Sequence, residues 1–133
     1  MPRRTDTNDT SSPSPTEEQV ATYDRLVPML EAAHREMTEL SKKKQDGVVN
    51  TFKIKTLNRL LGELSKVIEK DPSHAFVDML DEETLPQNSD AVLILSQWRA
   101  ALKQYKDRHY RYDPAESVTR WFTVENPDKR YRS

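Results

Sequence analysis

Apolar side chains recur along this chain at steps of three and four, in three runs separated by glycine and proline. In the first run Val20, Tyr23, Val27, Leu30, His34 and Met37 form one stripe, widened on one side by Leu26, Met29, Ala33 and Leu40. Thr16-Glu17-Glu18-Gln19 stands in front of it as a capping box: the threonine hydroxyl accepts from a free backbone N–H and the glutamine reaches back. The two acids suit the positive end of the helix. Pro28 falls opposite the stripe, so either the helix kinks there or a first helix ends near Leu26 and restarts. Asp46-Gly47 closes the run, and the short link that follows predicts an antiparallel neighbour.

The second run starts near Asn50 or Thr51. Its stripe is Ile54, Leu57, Leu61, Leu64 and Ile68, with Leu60 and Val67 alongside, and Asp71-Pro72 stops it. Ser73 is expected to cap a short helix or turn whose Phe76, Met79 and Leu80 lid one end of the core. After the break at Leu85-Pro86-Gln87, Asn88-Ser89-Asp90 caps the third run: Ala91, Leu95, Trp98, Leu102 and Tyr105, ending at His109. Val92 and Leu93 lie off that stripe, so this end either sits deep in the bundle or meets a second surface.

The ends break the period. Residues 1–15 are Ser, Thr, Pro, Asp and Arg with almost no apolar content, which predicts a disordered tail. Residues 111–133 have no helical period but carry Tyr112, Trp121, Phe122 and Tyr131, an aromatic content unlike disorder. The expected fold is therefore all-α. An antiparallel bundle of three long helices plus a short helix spans 16–110, followed by an irregular aromatic segment that docks on the bundle or on a partner. "RWFTV" within that segment also has strand-like composition.

Composition narrows the function more by exclusion. The 133 residues, 35% hydrophobic and 32% charged, fit one small domain with a thin core. A net charge of −1 argues against a general coat for nucleic acid or membrane, so any electrostatic partner must meet a local patch. With no cysteine there are no disulfides, thiolate metal sites or cysteine nucleophiles, which is compatible with a reducing cytoplasm. No apolar run reaches the roughly 18–20 residues needed to span a bilayer, and the polar start does not read as a secretory signal.

One local patch stands out. Ser41 to Lys55, "SKKKQDGVVNTFKIK", sets five lysines against one aspartate. On a helical wheel Lys55, Arg59, Lys66 and Lys70 lie opposite the leucine face, and Lys42, Lys43 and Lys44 stand just across the turn. Gly62 falls beside Arg59 and Lys66, where it costs helix stability and fills no core gap. The functional reading is a grip on phosphate or an acidic partner. The plainer one is a solvated face, since Glu63 and Glu69 are interleaved. No aromatic is placed on the strip to stack on bases. Between Asp71 and Asp90 there is no cation, and this acidic stretch suits a second copy's basic strip, a basic partner, or the strip of its own molecule.

Catalytic machinery is sparse. Glu31-Ala32-Ala33-His34 is an E-x-x-H, but a bundle di-metal site needs two such pairs and the chain has one. There is no phosphate-binding glycine loop and no nucleophile elbow. No catalytic residue, metal or cofactor is assigned, although His34 and His109 both point inward and would meet if the helices pack suitably. The expectation is a non-enzymatic interaction protein of the cytoplasm: a small subunit, adaptor or regulator binding another protein or itself, with a homodimer as one form. Its candidate contact residues are Trp121, Phe122, Tyr112, Val92 and Leu93. The alternative is a nucleic-acid-associated protein using Lys42, Lys43, Lys44, Lys55, Arg59 and Lys66 on phosphates without sequence preference.

Overall fold

A computed structural model describes residues 12–131. Most of it is helical: α1 spans Glu17–Lys43, α2 Thr51–Ile68 and α3 Asn88–His109. A 3-10 turn, Pro72–Phe76, follows α2, and a second, Lys129–Tyr131, lies near the C-terminus. After α3 come two short antiparallel strands, β1 (Tyr110–Asp113) and β2 (Val118–Trp121), with Tyr110 opposite Trp121 and Asp113 opposite Val118.

The capping box forms as its residues require: Gln19 N–H donates to Thr16 Oγ1 at 3.0 Å and Thr16 N–H to Gln19 Oε1 at 2.8 Å. α1 then runs unbroken through Pro28, so no helix ends near Leu26. Pro28 is exposed, and the Asp24 carbonyl that it leaves without a donor is on the solvent side. Every seventh position of the stripe, Tyr23, Leu30 and Met37, is buried. α1 packs on both other helices. Early residues of α1 meet late residues of its neighbours: Gln19 Nε2 donates to the Lys66 carbonyl, and Tyr23 Oη to the Leu102 carbonyl. Leu30, Ile54, Leu61, Leu64, Ile68, Leu95, Trp98 and Leu102 are all at or below 1% exposure and make the core.

The link between α1 and α2 is stitched to the start of α3. Asn88 N–H donates to the Gly47 carbonyl (2.7 Å), Ser89 N–H to Gln45 (3.0 Å), and Asn88 Nδ2 to Lys44 (2.9 Å). Orphan donors at one helix start and carbonyls at another helix end thus satisfy each other. A Cβ on Gly47 would lie 2.9 Å from Asn88 Nδ2 and 3.2 Å from the Lys44 carbonyl, so glycine is needed here for space. Asp90 accepts from Gln87 N–H and closes the first turn of α3.

Side chains hold the chain between α2 and α3. Asp71, not Ser73, caps the 3-10 turn, accepting from Ser73 N–H. Asn58, buried, donates to the Leu80 carbonyl and accepts from Leu80 N–H at 2.8 and 2.9 Å; Trp98 Nε1 donates to the Asp78 carbonyl at 2.8 Å. This extended segment turns Leu80 inward and leaves Met79 exposed, with Phe76 at 77%. The expected lid is therefore Leu80 with Val77 beside it.

The ends also differ from expectation. Residues 1–11 of the expected disordered tail lie outside the described residues, whereas Pro15 is buried and its carbonyl accepts from Val124 N–H, with Pro13 and Ser14 exposed before it. Residues 110–121 form a hairpin instead of an irregular segment. Asp113 Oδ1 accepts from Ala115 N–H to start the turn, and Ser117 closes it at φ 56°.

The two glycines give opposite predictions. Nothing stands within 4 Å of a Cβ built on Gly62, so Gly62→Ala should raise stability by about 0.5–1 kcal/mol. Gly47→Ala should lower it by about 1 kcal/mol or more. Urea denaturation of both variants reads the two signs directly.

Candidate functional site

The aromatic residues at the hairpin base turn into the molecule. Phe122 is 1% exposed and lies between two guanidinium groups, Arg111 at 3.9 Å and Arg120 at 4.0 Å from its ring centre. Arg111 is held by Asp128 and Arg120 by Asp113. Trp121, half-buried, meets Tyr23 edge-on at 5.0 Å and Tyr110 at 5.7 Å. Burial pushes the Tyr23 hydroxyl up to about 12, with Asp24 and Asp107 nearby adding to it. Of the five candidate contact residues, Tyr112 and Leu93 remain well exposed, at 57% and 60%, while Val92 packs partly on the core. Leu93 and the hairpin are separated by about 24 Å along α3, so the five do not form one surface.

The basic strip is partly neutralised. Lys42 pairs with Glu39 (3.1 Å), Lys66 with Glu63 (3.1 Å) and Lys55 with Glu82 (3.8 Å), the last being the contact by which the acidic stretch reaches the strip. Lys43, Lys44 and Arg59 are exposed and have no ion pair among the described residues. Contrary to expectation the strip does have an aromatic neighbour: Phe52, 78% exposed, stands one turn before Lys55 and two turns before Arg59.

Phe52 also ends a groove between α1 and α2. Leu26, Met29, Ala33, Thr56, Leu57 and Leu60 line one part, about 370 Å³. A second part, about 290 Å³, shares Ala33, Thr56 and Leu57 and continues to Met37 and Phe52. Met29 is 55% exposed on its lip. Sequence reasoning assigned Leu26, Met29, Ala33 and Leu60 to the core edge of their stripes and gave Phe52 no role. The available signal was its position: an aromatic in the first turn of a helix, off the apolar stripe.

The histidines do not meet. His34 Nε2 lies 3.0 Å from Ser96 Oγ, while His109 Nε2 lies 2.8 Å from Ser12 Oγ and its ring packs tilted, at 58°, against Tyr105 with centroids 4.7 Å apart. Ser96 and His109 are about 20 Å apart along α3. Glu31, the partner of His34 in the E-x-x-H, bonds Arg99 at 2.7 Å. Among the described residues no three His, Cys, Asp or Glu side chains converge as metal ligands.

Beside His109 sits Asp71, whose side chain is fully buried. Arg108 Nη1 reaches its two oxygens at 3.0 and 3.1 Å, and Ser73 donates both its N–H and its hydroxyl. Burial pushes this carboxyl up, but hydrogen bonds from Ser12 and Ser73 and the Arg108 charge outweigh it and hold it below the ordinary value. Burial holds His109 below its ordinary value; Asp71 opposes that shift, and Arg108 and Arg111 reinforce it.

Set against known proteins, the chain matches no family model, no curated protein sequence and no solved structure.

The pH response follows from His109. Its folded pKa lies below 6.5, so its contribution to stability is complete above that pH and is lost as pH falls through 6.5 toward the folded value. Thermal unfolding followed by circular dichroism should show a falling Tm from pH 7 to pH 5. His109→Asn should flatten that slope. A remainder is expected from His34, which burial and then Arg99 also hold below its ordinary value.

Proposed function

We propose that this chain is a non-enzymatic interaction protein, a small subunit, adaptor or regulator that binds another protein or a second copy of itself. Its scaffold is a three-helix bundle in which α1 runs antiparallel to α2 and to α3, so that α2 and α3 are parallel instead of alternating as expected, and the cysteine-free composition fits work in the cytoplasm. The observation that supports the reading best is the apolar groove between α1 and α2, with Phe52 and Met29 exposed at its lips. A solvent-facing phenylalanine next to an open apolar channel is a feature of binding surfaces. The burial of Phe122 and the packing of Trp121 on Tyr23 also support a contact surface elsewhere than the hairpin base. Among the described residues no helix is long and apolar enough to cross a membrane.

One observation favours the alternative of sequence-independent nucleic-acid binding. Phe52 is exposed on the face of α2 that carries Arg59 two turns on, and Arg59, Lys43 and Lys44 have no ion pair among the described residues, so a ring that could stack shares the basic strip with uncommitted cations.

A photo-crosslinking amino acid at position 52, expressed in the producing cells, separates the readings. A protease-sensitive, nuclease-resistant adduct is expected at position 52 and none at Glu116 on the hairpin turn. A nuclease-sensitive adduct would put the alternative first. No adduct at position 52 would remove the groove as a functional surface.

A further inference from the structure

The groove has a charge bias that selects among occupants. Both carboxylates on its rim are already answered: Glu36 by Lys53 at 3.7 Å and Glu63 by Lys66 at 3.1 Å. Two rim cations are not. Arg59 lines the groove on α2, and Arg25 stands one turn before Met29 on α1; both are exposed and neither has an ion pair among the described residues. The contacts of Gln19 with Lys66 and of Glu36 with Lys53 set the register of the two helices, and in that register both arginines fall at the Leu26–Leu60 end. Phe52 and Met37 mark the other end. The groove is thus aliphatic along its floor, positive at one end and aromatic at the other.

From Phe52 to Leu60 the floor runs about 12 Å, the length of about two helical turns. A helix lying there presents apolar residues at i, i+3 or i+4, and i+7 to the floor. Acidic side chains flanking that stripe, or the negative C-terminal end of the helix, would meet Arg25 and Arg59. Nucleic acid fits less well, because the groove floor is aliphatic, with Phe52 as its one ring for stacking on bases, and Lys55 and Lys66 already have partners. A second copy also fits less well. Its acidic segment with Met79 and Leu85 exposed is held extended by Asn58 and Trp98 and offers no helical stripe.

We propose that the α1–α2 groove binds an acidic amphipathic helix of a partner protein, apolar residues on the floor and carboxylates on Arg25 and Arg59. This rests on the interaction reading above and names the partner class for the same surface.

The test uses the full chain and two labelled synthetic helices with the same leucine stripe, one flanked by glutamates and one by lysines, followed by fluorescence anisotropy. The glutamate peptide should bind at least about tenfold tighter, and the gap should narrow as salt rises. The double variant Arg25→Glu/Arg59→Glu should reverse the preference. Phe52→Ser should weaken the glutamate peptide at least about tenfold with helical content unchanged. Equal affinity for the two peptides, both lost in Phe52→Ser, would overturn the charge selection and leave the interaction reading intact. Tighter binding of single-stranded RNA than of either peptide would overturn the proposal for the nucleic-acid alternative. Self-association by sedimentation velocity, abolished by Phe52→Ser, would overturn it for a second copy. Failure of both peptides, together with no adduct at position 52, would remove proposal and reading alike.

Discussion

A fully buried carboxylate organises one end of this molecule. Asp71 has no exposed side-chain surface, and leaving such a charge unpaired would cost several kcal/mol. Its partners therefore have to come together: Arg108 from the last turn of α3 and Ser73 from the 3-10 turn. That fixes where α2 stops and where α3 ends. His109, next in the chain, then meets Ser12, and its carbonyl receives Phe122 N–H at 2.7 Å. The segment before α1, the end of α2 and the root of the hairpin thus converge around one ion.

The other sides of the bundle are closed by different means. The extended chain held by Asn58 and Trp98 covers the side between α2 and α3. Trp121 seals one end, its ring against both Tyr23 and Tyr105. Between α1 and α3 the surface is rimmed by pairs, Glu31 with Arg99 and Lys103 with Asp107. The side between α1 and α2 likewise has no covering segment; what sets it apart is Phe52, 78% exposed at one end, with Arg25 and Arg59, unpaired among the described residues, at the other. The functional proposal rests on that combination.

The parts legible in the sequence are those set by periodicity and local chemistry. The stripes of α2 and α3, the capping box at Thr16 and the stop at Asp71-Pro72 follow from spacing and from what each residue's backbone allows. Hidden parts depend on partners distant in sequence. Asp71 looked like one more surface acid, because its arginine is 37 residues away. Asn58 belongs to no sequence pattern, and its role depends on Leu80, 22 residues away. The hairpin has no glycine in its turn, and its Asp-Pro start is a weaker signal than Asn-Gly. The groove was invisible for a related reason: whether the edge of a stripe is covered depends on the neighbouring helix, and Phe52 acquires meaning only beside it.

Trp121 and Phe122 belong to this fold, which turns the search for a contact surface away from the hairpin base and toward the α1–α2 groove. Amide hydrogen exchange on the isolated full chain tests it most directly. The account predicts that the amides of Trp121 and Phe122 exchange as slowly as those of Leu61 and Leu102 in the core. Exchange of that pair at the rate of an exposed loop would contradict it, returning those aromatics to the solvent and to whatever partner they would then serve.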